Sequence, residues 1–251
     1  MSISLDAASL GVLSSPQFVI AIALVVAAAA VVQVGLGMGF GLTAAPLLAL
    51  IDPSLVPAPT LFLGMLTAAW AARAEYRSVQ WSEVGLAVIG RLAGVAGGAA
   101  VLLVLVDRKT FTLIFGLLIA AAVVLSASGL RLHFTRPRLL AMGAASGLLG
   151  TLTSIGAPPI ALIYQDRPAT KARPTLSAFF AIGCAISLAG LFVSGWAGWN
   201  DVVLAGLMLP PMLAGLLIAR LLKGRFDRRY RPALLAISGI AALMLIARGF
   251  A

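Results

Sequence analysis

The 251 residues carry 61% hydrophobic and only 10% charged side chains, with a mean hydropathy of +1.08; this is far more apolar than a soluble domain, so the chain reads as a polytopic membrane protein with no soluble domain left over. The net charge of +10 excludes little by itself, but Lys and Arg fall in short loops between apolar runs without an aromatic-rich surface, which argues for topology determinants and no nucleic acid as partner. A single cysteine, Cys184, rules out an internal disulfide, and one histidine, His133, with no second cysteine gives no expectation of a metal or cofactor.

In chain order, Met1 to Gln17 holds no Lys or Arg, lacks the charged start of a secretory signal and is expected to be retained. From Phe18 to Gln33 runs a helix of small apolar residues. It leads into Gly35-Leu36-Gly37-Met38-Gly39-Phe40-Gly41-Leu42-Thr43-Ala44-Ala45-Pro46, and a short arm from Thr43 to Ile51 stops at Asp52-Pro53. A second copy lies 112 residues on: Gly147 to Pro158 matches at Gly35, Leu36, Ala45 and Pro46, and Ala161-Leu162-Ile163 matches Ala49-Leu50-Ile51. Its arms are Pro137 to Gly150 and Pro158 to Tyr164. Neither of these two is expected to cross a bilayer alone, and the Thr43 to Ile51 arm is about half a bilayer long.

Six further apolar stretches, at about 54–72, 84–106, 110–130, 174–196, 202–219 and 230–247, are near the length of a spanning helix. Each broken region is either one interrupted crossing or a hairpin that enters and leaves on the same side. With crossings, the loop Lys and Arg divide eleven to six between the faces; with hairpins they divide 14 to three. The positive-inside rule therefore selects hairpins. A hairpin plus three spans is an odd number of crossings, which makes the halves inverted copies and puts both termini outside the cytoplasm. Pro59-Thr60-Leu61 recurs as Pro174-Thr175-Leu176, and Leu92-Ala93-Gly94 as Leu213-Ala214-Gly215, in the same order. The expected fold is thus an all-α membrane protein, one domain over residues 1–251, with one repeat over about 17–131 and the other over about 137–249.

Two broken segments in corresponding halves point to a transporter site. Irregular backbone at membrane depth must be buried in protein or line a wet cavity, so 35–43 and 147–157 are expected to face each other. Pro46 and Pro158 fit the first turns of the short arms. Free N–H groups and the helix dipole would then favour an anion at mid-membrane, with Gly37, Gly39, Gly41 and Gly156 admitting it close to the backbone. Thr43, Thr151, Thr153 and Ser154 either add hydroxyl donors to that site, or cap the short helices or bond back to their own backbone. The glycines Gly90, Gly94, Gly97 and Gly98 read as close helix packing.

Arg91 is the one charge well inside a span. It either serves substrate or gating, or snorkels to the face near Trp81 and Glu83. All eight Asp and Glu lie in loops or at helix ends, which disfavours cation transport, and without paired carboxylates or a histidine on a helix an enzyme is not expected.

The paired Gly-rich segments ending in Pro46 and Pro158, followed by Arg173-Pro174-Thr175 and Phe179-Phe180, resemble the TauE/SafE sulfite exporter family over nearly the whole chain. The first copy interrupts its glycines with Met38, and the second has Thr153 and Ala157 where glycines are usual. The resemblance implies export of sulfite, an organosulfonate or a related small anion across the bacterial cytoplasmic membrane. The rival readings are an anion-selective channel or facilitator and a subunit of a larger membrane complex. The expected partners are the anion and the lipid bilayer, and a homo-oligomer is compatible with the sequence.

Overall fold

A computed structural model describes residues 15–104, 108–222 and 230–250, which form helices and connecting turns with no strand among them. The expected positions of the N-terminus and of Lys223, Arg225, Arg228 and Arg229 fall outside the described residues. The helices are α1 (Pro16–Leu36), α2 (Phe40–Ile51), α3 (Ala58–Ala74), α4 (Trp81–Val104), α5 (Arg108–Ala127), α6 (Arg136–Thr153), α7 (Ala157–Tyr164), α8 (Ala169–Val193), α9 (Trp199–Leu207), α10 (Leu209–Leu221) and α11 (Tyr230–Phe250). Four segments are long and apolar enough to cross a membrane: Pro16–Leu36, Pro53–Ala74, Trp81–Val104 and Ala169–Val193.

Helix α1 has 21 residues, about 32 Å at 1.5 Å per residue, because Pro16 and Gln17 precede the apolar run and Val34, Gly35 and Leu36 continue it. One expectation about these helices is corrected: the stretch 202–219 is two helices, α9 and α10, bent by 47° at Met208. Pro210 and Pro211 cause the bend: they lack the N–H groups that would bond back into α9, and proline disfavours the helical conformation of the residue before it.

The helix breaks have well-defined chemistry. Helix α1 stops where Gly37 turns left-handed (φ 76°) and donates its N–H to Gln33 O at 2.8 Å. Helix α6 stops the same way at Ser154, the one non-glycine with positive φ among the described residues (φ 64°), whose N–H reaches Gly150 O at 2.8 Å. Each break is three residues long, Gly37-Met38-Gly39 and Ser154-Ile155-Gly156, so much of 35–43 and 147–157 is helical and not irregular as expected. Helix α7 does begin just before its proline, at Ala157. In α2 the expectation fails: the helix begins six residues before Pro46, which sits inside it. The missing N–H leaves the Leu42 carbonyl without its helical donor. Ser238 Oγ of α11 donates to that carbonyl at 2.8 Å.

The second broken region is a hairpin. Leu132 N–H bonds to Leu162 O at 3.0 Å and Arg131 pairs with Asp166 at 2.9 Å, so α6 enters and α7 leaves at one end of the bundle. At that end Arg167 pairs with Glu83 at 3.0 Å and Arg173 pairs with Glu75. Residues 75, 83, 131, 166, 167 and 173 therefore share a face, the arrangement the charge count selected. Helix α2 packs against α1.

Packing partners exchange between the halves. Helix α4 packs on α6 and α10 on α1; α5 packs on α7 and α11 on α2; α3 packs on α8 and α5 on α11. The α3–α8 pair is antiparallel, with Gln80 N–H on Thr175 Oγ1 (3.1 Å) at one end and the Phe62 and Phe192 rings 6.2 Å apart at the other. Small residues set the approach. A side chain at Gly94 would collide with Ala144 O, and one at Gly215 with Ala27 O. These two glycines close the matching Leu-Ala-Gly triplets, and the two carbonyls they approach are 117 residues apart.

Candidate functional site

The α4–α6 contact builds the site. Gly90 lies against Leu140 O, Gly143 against Ala87 O and Gly147 against the backbone carbonyl of Arg91, so the helices approach at backbone distance, as small residues allow. That approach carries the Arg91 side chain past α6 to the second break. Arg91 is only 1% exposed, which excludes snorkelling. Its Nη1 donates to Ser146 Oγ at 3.1 Å and its Nη2 to Ser187 Oγ of α8 at 3.2 Å. The guanidinium carbon stands 5.3 Å from the Phe179 ring centroid and 5.9 Å from that of Phe180, within cation–π range. Its Nε is buried without a hydrogen-bond partner.

No carboxylate neutralises this charge among the described residues, whose three ion pairs all lie at the α6–α7 entry end. Burying an ion without a counter-charge costs several kcal/mol even after relaxation. Neutral hydroxyls and aromatic faces offset part of that cost. An anion would offset far more.

The guanidinium lines a small pocket between the two breaks, with a cavity volume of about 20 Å³. Of the residues expected at the site, Gly39, Gly41, Arg91, Ser154 and Gly156 line it. Gly41 is pressed against Ser154 O so closely that any side chain would collide there, and so the two breaks do meet. Gly37, Thr43, Thr151 and Thr153 are not on the pocket wall. Gly37 is the left-handed cap of α1, packed on Arg173 O. Thr43 Oγ1 donates back to Gly39 O at 3.0 Å, and Thr153 Oγ1 donates to Leu149 O at 2.7 Å while accepting from Ile155 N–H. These two bond back to their own backbone, the alternative for the hydroxyl residues, and cap neither short helix. Thr151 stands one bond behind Arg91, with Oγ1 donating to Ser187 Oγ at 3.1 Å. Ser154 both caps α6 and donates its hydroxyl to Pro57 O at 2.8 Å.

The helix starts offer fewer amides than two unmodified N-termini would. In α7, Pro158 and Pro159 lack N–H groups, leaving Ala157 in the first three positions. In α2 the Phe40 N–H is taken by Gln33 Oε1 at 3.1 Å, while Gln33 Nε2 donates to Gly37 O at 3.2 Å. Gln33, Ser146 and Ser187 were not singled out in the sequence. Their signal was a polar residue within an apolar run. Ser146 also donates to Gly156 O at 2.6 Å, which ties the guanidinium to the backbone of the second break.

Apolar helices of spanning length, two short arms turned back at backbone breaks and a buried cation between them define a multi-pass membrane protein. The family model described as sulfite exporter TauE/SafE matches residues 22–245. The chain belongs to that family, which is one of membrane transporters of sulfur anions. No curated protein and no solved structure matches it.

Proposed function

We propose that this protein carries sulfite or an organosulfonate across the bacterial cytoplasmic membrane, binding it at Arg91 between the two breaks. The observation that carries this reading is the Arg91 guanidinium, buried and unpaired by any described carboxylate on the wall of a pocket. Family membership supports the chemical class.

Two repeats, over about 17–131 and 137–249, form inverted halves that expose the pocket alternately to either side. The exchanged packing partners and the antiparallel α3–α8 pair support that arrangement. With 73–80 and 165–173 cytoplasmic, cysteines placed at 75 and 167 are labelled from the same face; labelling from opposite faces sinks the inverted arrangement.

The test of function is the purified chain in liposomes. It should accumulate sulfite or a sulfonate with saturable kinetics and little conductance, and Arg91→Gln should abolish uptake while the protein still inserts. Large ohmic currents would transfer the reading to a channel, and a chain inactive alone but active with partners would transfer it to a complex subunit.

A further inference from the structure

Resting on the reading that Arg91 receives the substrate, we infer that the pocket selects a singly charged sulfur oxyanion, bisulfite or an alkyl sulfonate, and rejects the dianions sulfite and sulfate. Few charges and free donors stand on the pocket wall. Arg91 is the one charged residue there; the other polar side chains are Gln33, Thr60 and Ser154, with the Cys184 thiol.

Thr60 and Ser154 already give their hydroxyl hydrogens to the protein, and Gln33 gives one of its two amide hydrogens. Gln33 Nε2 donates to Gly37 O, Thr60 Oγ1 to Leu55 O at 2.8 Å, and Ser154 Oγ to Pro57 O. The start of α2 adds at most about half a positive charge, and the α7 start adds less because two of its first three residues are proline. Arg91 thus supplies the one full positive charge, and the partial charges beside it leave the total short of two. Phe40, Leu61 and Phe180 supply much of the remaining wall. A dianion would enter with part of its charge unmatched in a medium where unpaired charge is expensive, whereas Arg91 matches a monoanion and the apolar wall accepts the methyl group of an alkyl sulfonate.

The inference has a signature, because sulfite changes charge near neutrality and an alkyl sulfonate does not. The groups facing the guanidinium are Ser146, Gly147 and Gly150 from α6, Gly156 from the second break, and Phe179, Phe180, Gly183, Cys184 and Ser187 from α8. Among them only the Cys184 thiol can titrate, and a methanesulfonate arm controls for it.

Binding of sodium sulfite, sodium methanesulfonate and sodium sulfate is measured on the full chain in detergent by calorimetry, from roughly pH 6 to pH 9, with Arg91→Gln as the blank. Methanesulfonate affinity should stay within about twofold. Apparent sulfite affinity should fall by about tenfold per pH unit once the dianion predominates, and sulfate should not compete. Sulfite affinity that rises with pH, or sulfate competing as well as methanesulfonate, overturns the monoanion selection and leaves the transporter reading standing. Binding of none of the three by a folded chain overturns the transporter reading and this inference together.

Discussion

The two breaks have the same length and the same left-handed first residue, but different chemistry. Both put a left-handed residue three positions before the next helix, Gly37 in one and Ser154 in the other. Yet the Arg91 guanidinium lies against the second, packed near Gly150 and Gly156 and bound to Ser146, while the first is held by a neutral amide, Gln33. The second break is closed by prolines and a hydroxyl network. The first gives its leading Phe40 N–H to Gln33 but has no proline in the first turn of its helix. Duplicated geometry has thus been given a cation on one side and backbone donors on the other, and an anion between them would touch both.

The change that breaks this comparison most completely is removal of the cation. Arg91→Gln should eliminate measurable uptake, and should raise the melting temperature of the unliganded protein in detergent because an uncompensated buried charge is gone. An unchanged melting temperature with lost uptake would mean that the hydroxyls and aromatic rings already compensate the charge.

Next come the points where the breaks touch. Gly41→Val drives a side chain into Ser154 O, and Gly156→Val drives one against Ser146 O at 2.8 Å and Arg91 Nη1 at 3.1 Å. Each should abolish the rise in melting temperature that the anion produces. Gly39→Ala is the softer control: it meets only Val32 Cγ1 at 3.1 Å, and its cost comes mainly from φ 109°, of order 1–3 kcal/mol. If Gly39→Ala and Gly41→Val behave alike, the contact between the breaks is not what matters.

The hydroxyls give the smallest and sharpest contrast. Ser146→Ala removes an acceptor from a charged donor and should cost about 1.5–3 kcal/mol, with anion affinity falling alongside. Thr43→Val and Thr153→Val remove neutral bonds to their own helices, so each should cost only about 0.5–1.5 kcal/mol of stability and leave affinity unchanged. Denaturation midpoints and calorimetric affinities of the three variants decide it.

Hydropathy and loop charge made the all-helical membrane fold and the second hairpin legible in the sequence, because burial and positive-inside topology act on residue type. The repeat register was less visible. Matching Gly35 to Gly147 and Pro46 to Pro158 offsets the halves by 112, whereas the left-handed caps Gly37 and Ser154 are 117 apart. Identity misleads here because the two positions share a backbone conformation and not a residue type. Pro46 and Pro158 are the converse, one residue type in two roles. Arg91 stood out as a charge in a glycine-rich span. Its partners did not, since Ser146 and Ser187 lie 55 and 96 residues away and only the α4–α6 and α4–α8 contacts bring them together.

The bond from Ser238 to the Leu42 carbonyl sets an order on biosynthesis. Pro46 leaves that carbonyl unsatisfied as soon as α2 forms, and the hydroxyl that satisfies it lies 196 residues later in the chain, on the last helix. Helix α1 in the same way waits for α10. The first hairpin therefore leaves the ribosome as an incomplete element, its defect facing lipid or the insertion machinery until the C-terminal helix arrives. Nascent chains ending before residue 230 should keep the first hairpin open to proteolysis, and Ser238→Ala in the finished protein should reproduce a milder form of the same fault.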